Sequence, residues 1–461
     1  MRELRIAIIG AGSASFSPAT IADILLSGAF AEQAVDLRLM DIRLEAAERA
    51  ARFARAHAGR LGRPLRVRAT DELQTAVAGA DFVIAAIEVE RYRYWAQDFH
   101  IPRKYGFRQV YGENGGPGGM FHFLRNLEPM LEIARAMERG CPEAWLLSYT
   151  NPEAKLVEAI ARLTRIRVVG LCHGEQMGID QLARFLELPR ERIAAEAAGL
   201  NHFGWFTAIR DSLTGEDLYP RLAERERRAD WLADWDEYAL TRILFRVFGL
   251  WSYPGANHIG EYLAWSDQYL ASALLQFAHD PLAGRPWDEG AAAEFVYSLA
   301  GNPTARGLFA PVSGASAPAG EAAYLESFAA DGPLRPSKEY GIPIVEAIWF
   351  DRATRVGAVN VPNRGYAPGI LEGMVVEVPA FVDGRGVRPQ ATTALPTAIR
   401  ALINRQGAIH QLLLEAYQER SRRKLLQAVL LDPTVSTYAN AVAMIDELCE
   451  LQAELLPPLE W

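Results

Sequence analysis

The feature that most constrains the fold is an apolar run that ends in a glycine turn and continues into a helix. Residues 4–9 (LRIAII) lead directly into Gly10-Ala11-Gly12, and apolar residues at helical spacing follow over 18–26. A strand, a tight turn and a helix in this order form the repeating unit of parallel sheets that carry helices on both faces.

The same alternation continues along the first part of the chain. Strand patterns recur at 35–40, 66–69, 81–86, 144–148 and 168–171, and helical patterns between them include one ending at Arg60 and one over 121–137. Aromatic residues cluster after about residue 195, a β-like block covers 357–389, and helical patterns cover 393–456. We therefore predict an α/β fold with a Rossmann-type doubly wound sheet in residues 1–195 and an α+β domain in 196–461. No linker separates the two regions, so we expect them to share one core.

The glycine turn has the residues that a dinucleotide requires. Gly10 permits the tight turn, and Gly12 lets the backbone approach a pyrophosphate at the helix N-terminus. Asp41 ends the next strand, where a carboxylate hydrogen-bonds a ribose hydroxyl and repels a 2′-phosphate, which favours NAD over NADP. Ser15 replaces the third glycine of the usual pattern, and the turn alone would be a weak signal. The predicted cofactor-binding residues are Gly10, Gly12, Ser13, Ser15, Phe16 and Asp41.

A second group of polar residues is predicted at the carboxyl edge of the same sheet, where open α/β sheets bind ligands. Cys172-His173 follows the strand at 168–171, Asn151-Pro152 follows the strand at 144–148, and Asn201-His202 opens the aromatic segment. A thiolate and an imidazole together suit a borderline divalent ion and leave coordination positions for substrate and water. A single cysteine is more often a buried structural residue, so both interpretations stay open at this point.

Composition limits the classes of partner. The formal charge is −9 over 461 residues, and the arginine-rich segments 221–228 and 420–424 contain or adjoin acids, which argues against nucleic acid. No secretory signal or membrane-spanning run is evident, and three cysteines in a chain of this length do not predict a disulfide framework. We expect a cytoplasmic protein that acts on a small molecule.

Taken in order, the motifs resemble those of glycoside hydrolase family 4, the NAD-dependent glycosidases. The matching blocks are IIGAGSASF at 8–16, IPRKYG at 101–106, GENGGPGG at 112–119, CPEAWLLSYTNPEA at 141–154, GLCHG at 170–174, GLNHFGWF at 199–206, HIGEY at 258–262 and VNVPNRG at 359–365. These blocks run over nearly the whole chain.

This resemblance implies a lactate/malate-dehydrogenase-like C-terminal domain and a specific chemistry. In that family Cys172 and His202 would bind Mn²⁺, and Asn151 would contact substrate and cofactor. The implied reaction oxidises the sugar at C3, removes the C2 proton, eliminates the aglycone, adds water and reduces C3 again. NAD is therefore not consumed.

The acid and base residues are less defined by the resemblance. The segment WSYPGANHIGEY at 251–262 offers Tyr253, His258, Glu261 and Tyr262 for the C2 base, although an aromatic there is more often a packing residue. Glu113 would assist the leaving group or stabilise a helix start. His173 replaces the aspartate that acts as general acid in the phospho-glucosidase branch. The predicted catalytic residues are Tyr262, Glu113, His173 and His258.

The residues after Cys172 also bear on the substrate. In this family C-H-G is typical of α-glucuronidases and α-galacturonidases, so His173-Gly174 implies an unphosphorylated uronic acid. The predicted substrate-binding residues are Asn151, His173, Arg91 and Asn201. The alternatives are an α-glucosidase or α-galactosidase of the same mechanism, or a 2-hydroxyacid-type dehydrogenase that releases NADH. Relatives in the family imply a homodimer or homotetramer.

Overall fold

In the computed structural model the described residues are 2–13, 16–229, 238–269, 328–329 and 332–461, without the side chains of residues 91–93 and 96. Ser15 and the side chain of Arg91 therefore lie outside the described residues. The strands are β1 (Leu4–Ile9), β2 (Val35–Met40), β3 (Leu65–Thr70), β4 (Phe82–Ala85), β5 (Trp145–Ser148), β6 (Arg167–Gly170), β7 (Ile193–Leu200), β8 (Phe203–Asp211), β9 (Ser252–Tyr253), β10 (Thr354–Pro362), β11 (Val375–Asp383) and β12 (Gly386–Pro389).

Helices cover both faces of the sheet that these strands form. They are α1 (Phe16–Leu26), α2 (Leu44–Leu61), α3 (Leu73–Val77), α4 (Arg91–Lys104), α5 (Gly116–Gly140), α6 (Glu153–Leu163), α7 (Gly174–Leu186), α8 (Tyr219–Arg228), α9 (Ala239–Phe248), α10 (Ala256–Gly260), α11 (Gly341–Trp349), α12 (Thr397–Glu419), α13 (Arg422–Leu431) and α14 (Tyr438–Leu451). Among the helices described, none combines the length and apolar composition needed to cross a membrane.

The first half of the sheet has the predicted parallel arrangement. Strands β3, β2, β1, β4, β5 and β6 lie side by side in that order, and each neighbouring pair is parallel. This order is that of the Rossmann fold, in which all strand carboxyl ends meet at one edge. The glycine turn after β1 and Cys172 after β6 therefore share that edge.

The second half of the sheet continues the first through an antiparallel hairpin. Strands β10 and β11 lie between β6 and β7, so the order after β6 is β10, β11, β7, β8 and β9. The register pairs Asn360 with both Gly170 of β6 and Glu377 of β11, and Glu377 with Gly199 of β7. This row of four paired residues brings the carboxyl ends of β6 and β7 to one place.

One apolar core includes residues from both halves, as expected from the absence of a linker. It extends from Leu4 in β1 to Val376 in β11 and Leu448 in α14. Strand β7 crosses residue 195, and the division into 1–195 and 196–461 stays a prediction. The β-like block contains β10, β11 and β12, and the final helical region consists of α12, α13 and α14.

Helix α5 departs from its predicted bounds. The apolar pattern predicted a helix over 121–137, but α5 begins at Gly116 and ends at Gly140. Pro117 lies in its first turn, where the missing backbone N–H costs nothing. The glycines of the GENGGPGG block, which resemble a loop in sequence, instead let α5 pack closely on α4.

Gly118→Ala is predicted to destabilise the fold, even though alanine favours a helix over glycine by about 1 kcal/mol. A Cβ atom at Gly118 would lie 2.2 Å from the backbone oxygen of Asp98 in α4, so the two helices would have to separate. We expect the free energy of unfolding, measured by urea titration, to fall by about 1–3 kcal/mol.

Gly59→Ala is the matched control, because Gly59 is an exposed glycine within α2. Among the atoms described, none lies within 4 Å of the position that a Cβ would take there. This variant should gain up to about 1 kcal/mol. If the free energy of unfolding changed with the same sign and size in both variants, the packing argument would be contradicted.

Candidate active site at the carboxyl edge of the sheet

The glycine turn between β1 and α1 has no room for side chains at its two glycines. Gly10 has a φ of +86°, and a Cβ there would lie 2.2 Å from the backbone oxygen of Ala86. A Cβ on Gly12 would lie 2.6 Å from Oδ2 of Asp41. The turn is therefore a narrow backbone cradle that opens at the N-terminus of a helix, which suits a phosphate group.

Asp41 and Ser13 fix the shape of this turn. The Gly12 N–H donates to Oδ2 of Asp41 at 2.8 Å, and the Arg43 N–H donates to Oδ1 at 3.0 Å. Oγ of Ser13 accepts from the Phe16 N–H at 3.2 Å at the start of α1. The structure thus brings the predicted carboxylate to the glycine turn, as the dinucleotide interpretation requires.

Tyr149 connects this turn to the second group of site residues. It follows β5, and its ring lies 4.7 Å from the ring of Phe16 between centroids. Burial raises the pKa of Tyr149 well above its ordinary value, and both Glu339 and Cys172 are close enough to contribute. The Leu171 N–H donates to the Ser148 carbonyl oxygen at 2.9 Å, so Tyr149 and Cys172 follow paired strands at the sheet edge that also carries the glycine turn.

Cys172 lies directly after β6 and is partly exposed. Its Sγ accepts from the Gly174 N–H at 3.4 Å, and the side chain of Asn201 lies nearby. Burial raises the pKa of the Cys172 thiol well above its ordinary value, and the buried acid Glu377 adds to this effect. The thiolate form consequently needs a cation nearby.

His202 is buried and takes a left-handed backbone conformation, with a φ of +61°. The Asn114 amide hydrogen-bonds its Nδ1 at 2.9 Å, and its ring lies 4.3 Å from the ring of His258 between centroids. Burial and His258 lower the pKa of His202 well below its ordinary value. The ring is thus held neutral, which is the form that ligates a metal.

Three predicted site residues converge on one point. In the part of the chain that the structure describes, the ligand atoms of Glu113, His202 and His258 all lie within 4.8 Å of one another. Cys172, predicted as the partner of His202, is not a member of this group, and Asn201 connects the two. The sequence placed Glu113 and His258 among the acid and base residues, not beside His202.

A carboxylate that the sequence prediction did not select organises this cluster. Glu261 is fully buried and accepts backbone N–H groups from Glu113 at 2.7 Å, Asn114 at 2.9 Å and Gly115 at 2.8 Å. Lys155 of α6 donates to the Asn114 carbonyl oxygen. The loop before α5 is therefore fixed through the N–H groups of residues 113–115 and through the carbonyl oxygen of Asn114. This holds Glu113 beside His202.

Tyr262, predicted as a base, lies in a packing position. Its hydroxyl donates to the Asn201 backbone oxygen at 3.2 Å, and its ring lies 4.9 Å from that of Phe203. Burial raises the pKa of Tyr262 well above its ordinary value. These contacts favour the packing interpretation over proton transfer.

The row of four paired residues across the sheet, Gly170, Asn360, Glu377 and Gly199, supplies polar side chains that the sequence analysis missed. Oε2 of Glu377 accepts from Nδ2 of Asn360 at 2.9 Å and from Nδ2 of Asn201 at 3.4 Å. Oδ1 of Asn201 is buried and, among the residues described, has no hydrogen-bond partner. It is an orphaned acceptor beside Cys172. No sequence pattern marks Glu377, because its strand resembles an ordinary apolar strand.

His173 and Asn151 follow the paired strands β6 and β5 at the same sheet edge. The His173 side chain is 57% exposed, and its Nδ1 lies 3.2 Å from Oε1 of Glu339, which raises the pKa of His173. Asn151 precedes a cis proline, and its backbone oxygen accepts from Nδ2 of Asn126 at 2.9 Å. His173 is thus available at the rim, outside the Glu113–His202–His258 cluster.

Comparison with protein family models identifies the family to which the chain belongs. Residues 5–188 match the family model described as family 4 glycosyl hydrolase, and residues 197–435 match its C-terminal domain. The chain belongs to glycosyl hydrolase family 4. The family expected from the motifs, and with it the expectation of a glycosidase, is confirmed.

Relatives of this family 4 enzyme differ in the sugar they act on. The α-glucosidase of Erwinia rhapontici is 32% identical over an alignment of 465 positions, which covers 95% of each chain. The α-galacturonidase of Thermoanaerobacter italicus is 28% identical, covering 98% of this chain and 97% of that protein. The substrate class is therefore not set by overall similarity.

Solved structures agree with the fold. A 6-phospho-α-glucosidase from gut microorganisms, solved in complex with NAD and Mn²⁺, has a TM-score of 0.77 at 23% identity and covers 100% of both chains. The malate dehydrogenase of Cryptosporidium parvum has a TM-score of 0.52 at 14% identity, covering 91% of this chain and 100% of that one. The predicted Rossmann-type, malate-dehydrogenase-like fold of this family 4 enzyme is confirmed.

Replacement of the Glu261 carboxyl group by an amide is predicted to flatten the pH dependence of the unfolding free energy of the family 4 enzyme. Burial, together with the neighbouring Glu113, raises the pKa of Glu261 to about 8 from an ordinary 4.5. The folded state therefore holds this proton more tightly than the unfolded chain. The resulting stabilisation is complete below about pH 4.5 and is lost as the pH rises through about 8.

Urea titrations at about pH 5 and about pH 9 measure this effect. Between these values Glu261→Gln should lose roughly 1–3 kcal/mol less unfolding free energy than the wild type. Glu48→Gln, whose side chain is 53% exposed, is the control and should follow the wild type. Parallel pH profiles for all three proteins would contradict the assignment.

Proposed function

We propose that this family 4 enzyme hydrolyses α-glycosides of an unphosphorylated uronic acid with bound NAD and Mn²⁺. The observation that carries the proposal is a shared sheet edge. The ring of Tyr149, which follows β5, lies 4.7 Å from the ring of Phe16 at the start of α1, and Cys172 follows the paired strand β6. A dinucleotide cradle and a group of metal-binding side chains thus meet at one sheet edge. A sugar between them would face both a hydride acceptor and an electrophile.

The residues present fit both cofactors. The turn at Gly10 and Gly12 is a cradle that a Cβ would fill, and Asp41 lies where a ribose hydroxyl would be bound. The thiol of Cys172 and the neutral imidazole of His202 suit a borderline divalent ion. Oδ1 of Asn201, the residue before His202, is buried and has no hydrogen-bond partner among the residues described. Cys172 and His202 would hold the ion, as the family resemblance implies.

When bound, NAD⁺ would supply a hydride acceptor and Mn²⁺ would supply an electrophile for the sugar oxygens, and the C2 proton would become more acidic. The chain's own residues position the polar groups of the site. Glu261 fixes the loop that carries Glu113, and Glu377 holds the amides of Asn201 and Asn360 in one orientation. Exclusion of water by the buried aromatic residues strengthens each of these polar contacts.

The uronic acid substrate rests on the residues after Cys172. His173 and Gly174 complete the C-H-G sequence, and the exposed His173 side chain lies outside the Glu113–His202–His258 cluster. An imidazole N–H donor there suits a sugar carboxylate. The α-galacturonidase relative is consistent with this choice. Cytoplasmic location and an oligomeric state remain predictions.

A second candidate is an α-glucosidase of the same mechanism. The observation that favours it is the 32% identity with the Erwinia rhapontici enzyme, which exceeds the 28% identity with the α-galacturonidase. A neutral sugar would use the same cofactors and the same sheet edge. The two candidates therefore differ only in what binds at the rim near His173.

Gly10→Ala is predicted to weaken NAD⁺ binding. The added methyl group would meet the Ala86 oxygen at 2.2 Å and would occupy a backbone conformation with positive φ. We expect the dissociation constant, measured by isothermal titration calorimetry, to rise by at least about 10-fold, or about 1.4 kcal/mol. Gly28→Ala is the control, because among the atoms described none lies within 4 Å of its Cβ position. Equal affinities in the two variants would contradict the cradle.

A panel of aryl α-glycosides tests the substrate class. With NAD⁺, Mn²⁺ and a thiol present, α-glucuronide or α-galacturonide should be hydrolysed with a kcat/KM at least about 10-fold above α-glucoside and α-galactoside, a difference of about 1.4 kcal/mol in transition-state binding. Activity confined to neutral sugars would overturn the uronate proposal and favour the α-glucosidase.

The absorbance of NADH separates a glycosidase from a net dehydrogenase. Because C3 is reduced again within each turnover, NADH should not accumulate in proportion to product. Stoichiometric NADH release with a glycoside would contradict the proposed reaction, whatever the sugar.

A further inference from the structure

We propose that Glu113 and His258 bind the divalent cation together with His202, so that the ion has more protein ligands than the Cys172–His202 pair implied by the family resemblance. This inference rests on the proposed function, since it assumes that the site holds Mn²⁺. It assigns Glu113 and His258, which the sequence placed among acid and base residues, to metal coordination.

The geometry of the three side chains carries the inference. Their ligand atoms lie within 4.8 Å of one another. A small divalent ion with bonds of about 2.1 Å holds its ligand atoms about 3–4.2 Å apart. Small side-chain rotations therefore bring all three atoms onto one ion. A carboxylate with two imidazoles is also a donor set that borderline divalent ions accept.

The buried charges around the cluster also favour a bound cation. Glu113 and His202 are 3% and 4% exposed, and the fully buried Glu261 lies against the backbone of Glu113. A Glu113 carboxylate removed from water is costly to bury without a counter-charge. Lys155 is the buried cation nearby, and it is directed to the Asn114 carbonyl oxygen. A divalent cation at the cluster would offset the remaining negative charge.

Both imidazoles are already oriented through one ring nitrogen. The Asn114 amide hydrogen-bonds Nδ1 of His202 at 2.9 Å, and Nδ1 of His258 lies 2.7 Å from Oδ1 of Asn257. The His258 contact is typical of a metal-binding histidine, because the Asn257 oxygen accepts the Nδ1 proton and leaves the Nε2 lone pair free. At His202 the Asn114 amide donates to Nδ1 and fixes the direction of the ring. Asn114 and Asn257 thus hold the rings of His202 and His258 in position before any ion binds.

The test measures Mn²⁺ itself. In pulsed EPR of the Mn²⁺-loaded wild type grown with ¹⁵N-histidine, two imidazole nitrogens should couple to the ion, and His258→Gln should retain one. By calorimetry, Glu113→Gln and His258→Gln should each bind Mn²⁺ at least about 10-fold more weakly than the wild type. Glu48→Gln, whose exposed side chain lies in α2, is the matched control for the loss of a carboxylate and should keep wild-type Mn²⁺ affinity.

Each outcome bears on a separate claim. One coupled imidazole in the wild type, or wild-type Mn²⁺ affinity in both cluster variants, overturns the assignment of Glu113 and His258 while leaving the glycosidase proposal standing. A wild type that binds no Mn²⁺ overturns the proposed cofactor and this inference together. The spectrum of the wild type decides the question even if a variant fails to fold.

Discussion

The site depends on one constraint, the register of the β10–β11 hairpin between the two halves of the sheet. Pairing of Gly170 with Asn360, of Asn360 with Glu377 and of Glu377 with Gly199 fixes the distance between β6 and β7 at two intervening strands. Cys172 and His202 follow these strands directly, so their separation is set by backbone hydrogen bonds. A slip of one residue would turn Asn360 and Glu377 to the opposite face of the sheet.

Buried polar groups make this arrangement specific. Glu377 accepts from the side-chain amides of Asn360 in β10 and Asn201 after β7. Glu261 accepts from three consecutive backbone N–H groups before α5. Removal of either carboxylate would leave buried donors unpaired, at a cost of about 1–3 kcal/mol each. The same contacts hold Asn201 beside Cys172 and Glu113 beside His202. Stability of the loops and placement of the reactive groups thus have a common origin.

Local features of the site could be predicted from the sequence, and distant pairings could not. The glycine turn and Asp41 depend on neighbouring strands of one parallel unit, and the structure brings them into contact at 2.8 Å. Cys172 was correctly located at a strand end, because parallel strands share an edge. The insertion of β10 and β11 leaves no periodic signal, so Glu377 and Asn360 were missed. Tyr262 and Glu261 are adjacent in sequence, yet only the fold shows that the first packs and the second binds the Glu113 loop.

The central claim is that this family 4 site breaks the glycosidic bond after removal of the C2 proton. The most direct measurement is mass spectrometry and NMR of the sugar released from an α-uronide in D₂O, with NAD⁺ and Mn²⁺ present. The account predicts deuterium at C2 of the product, because that position loses its proton to the protein and regains one from solvent. A product with only hydrogen at C2 would contradict the account, since direct displacement by water leaves that bond intact.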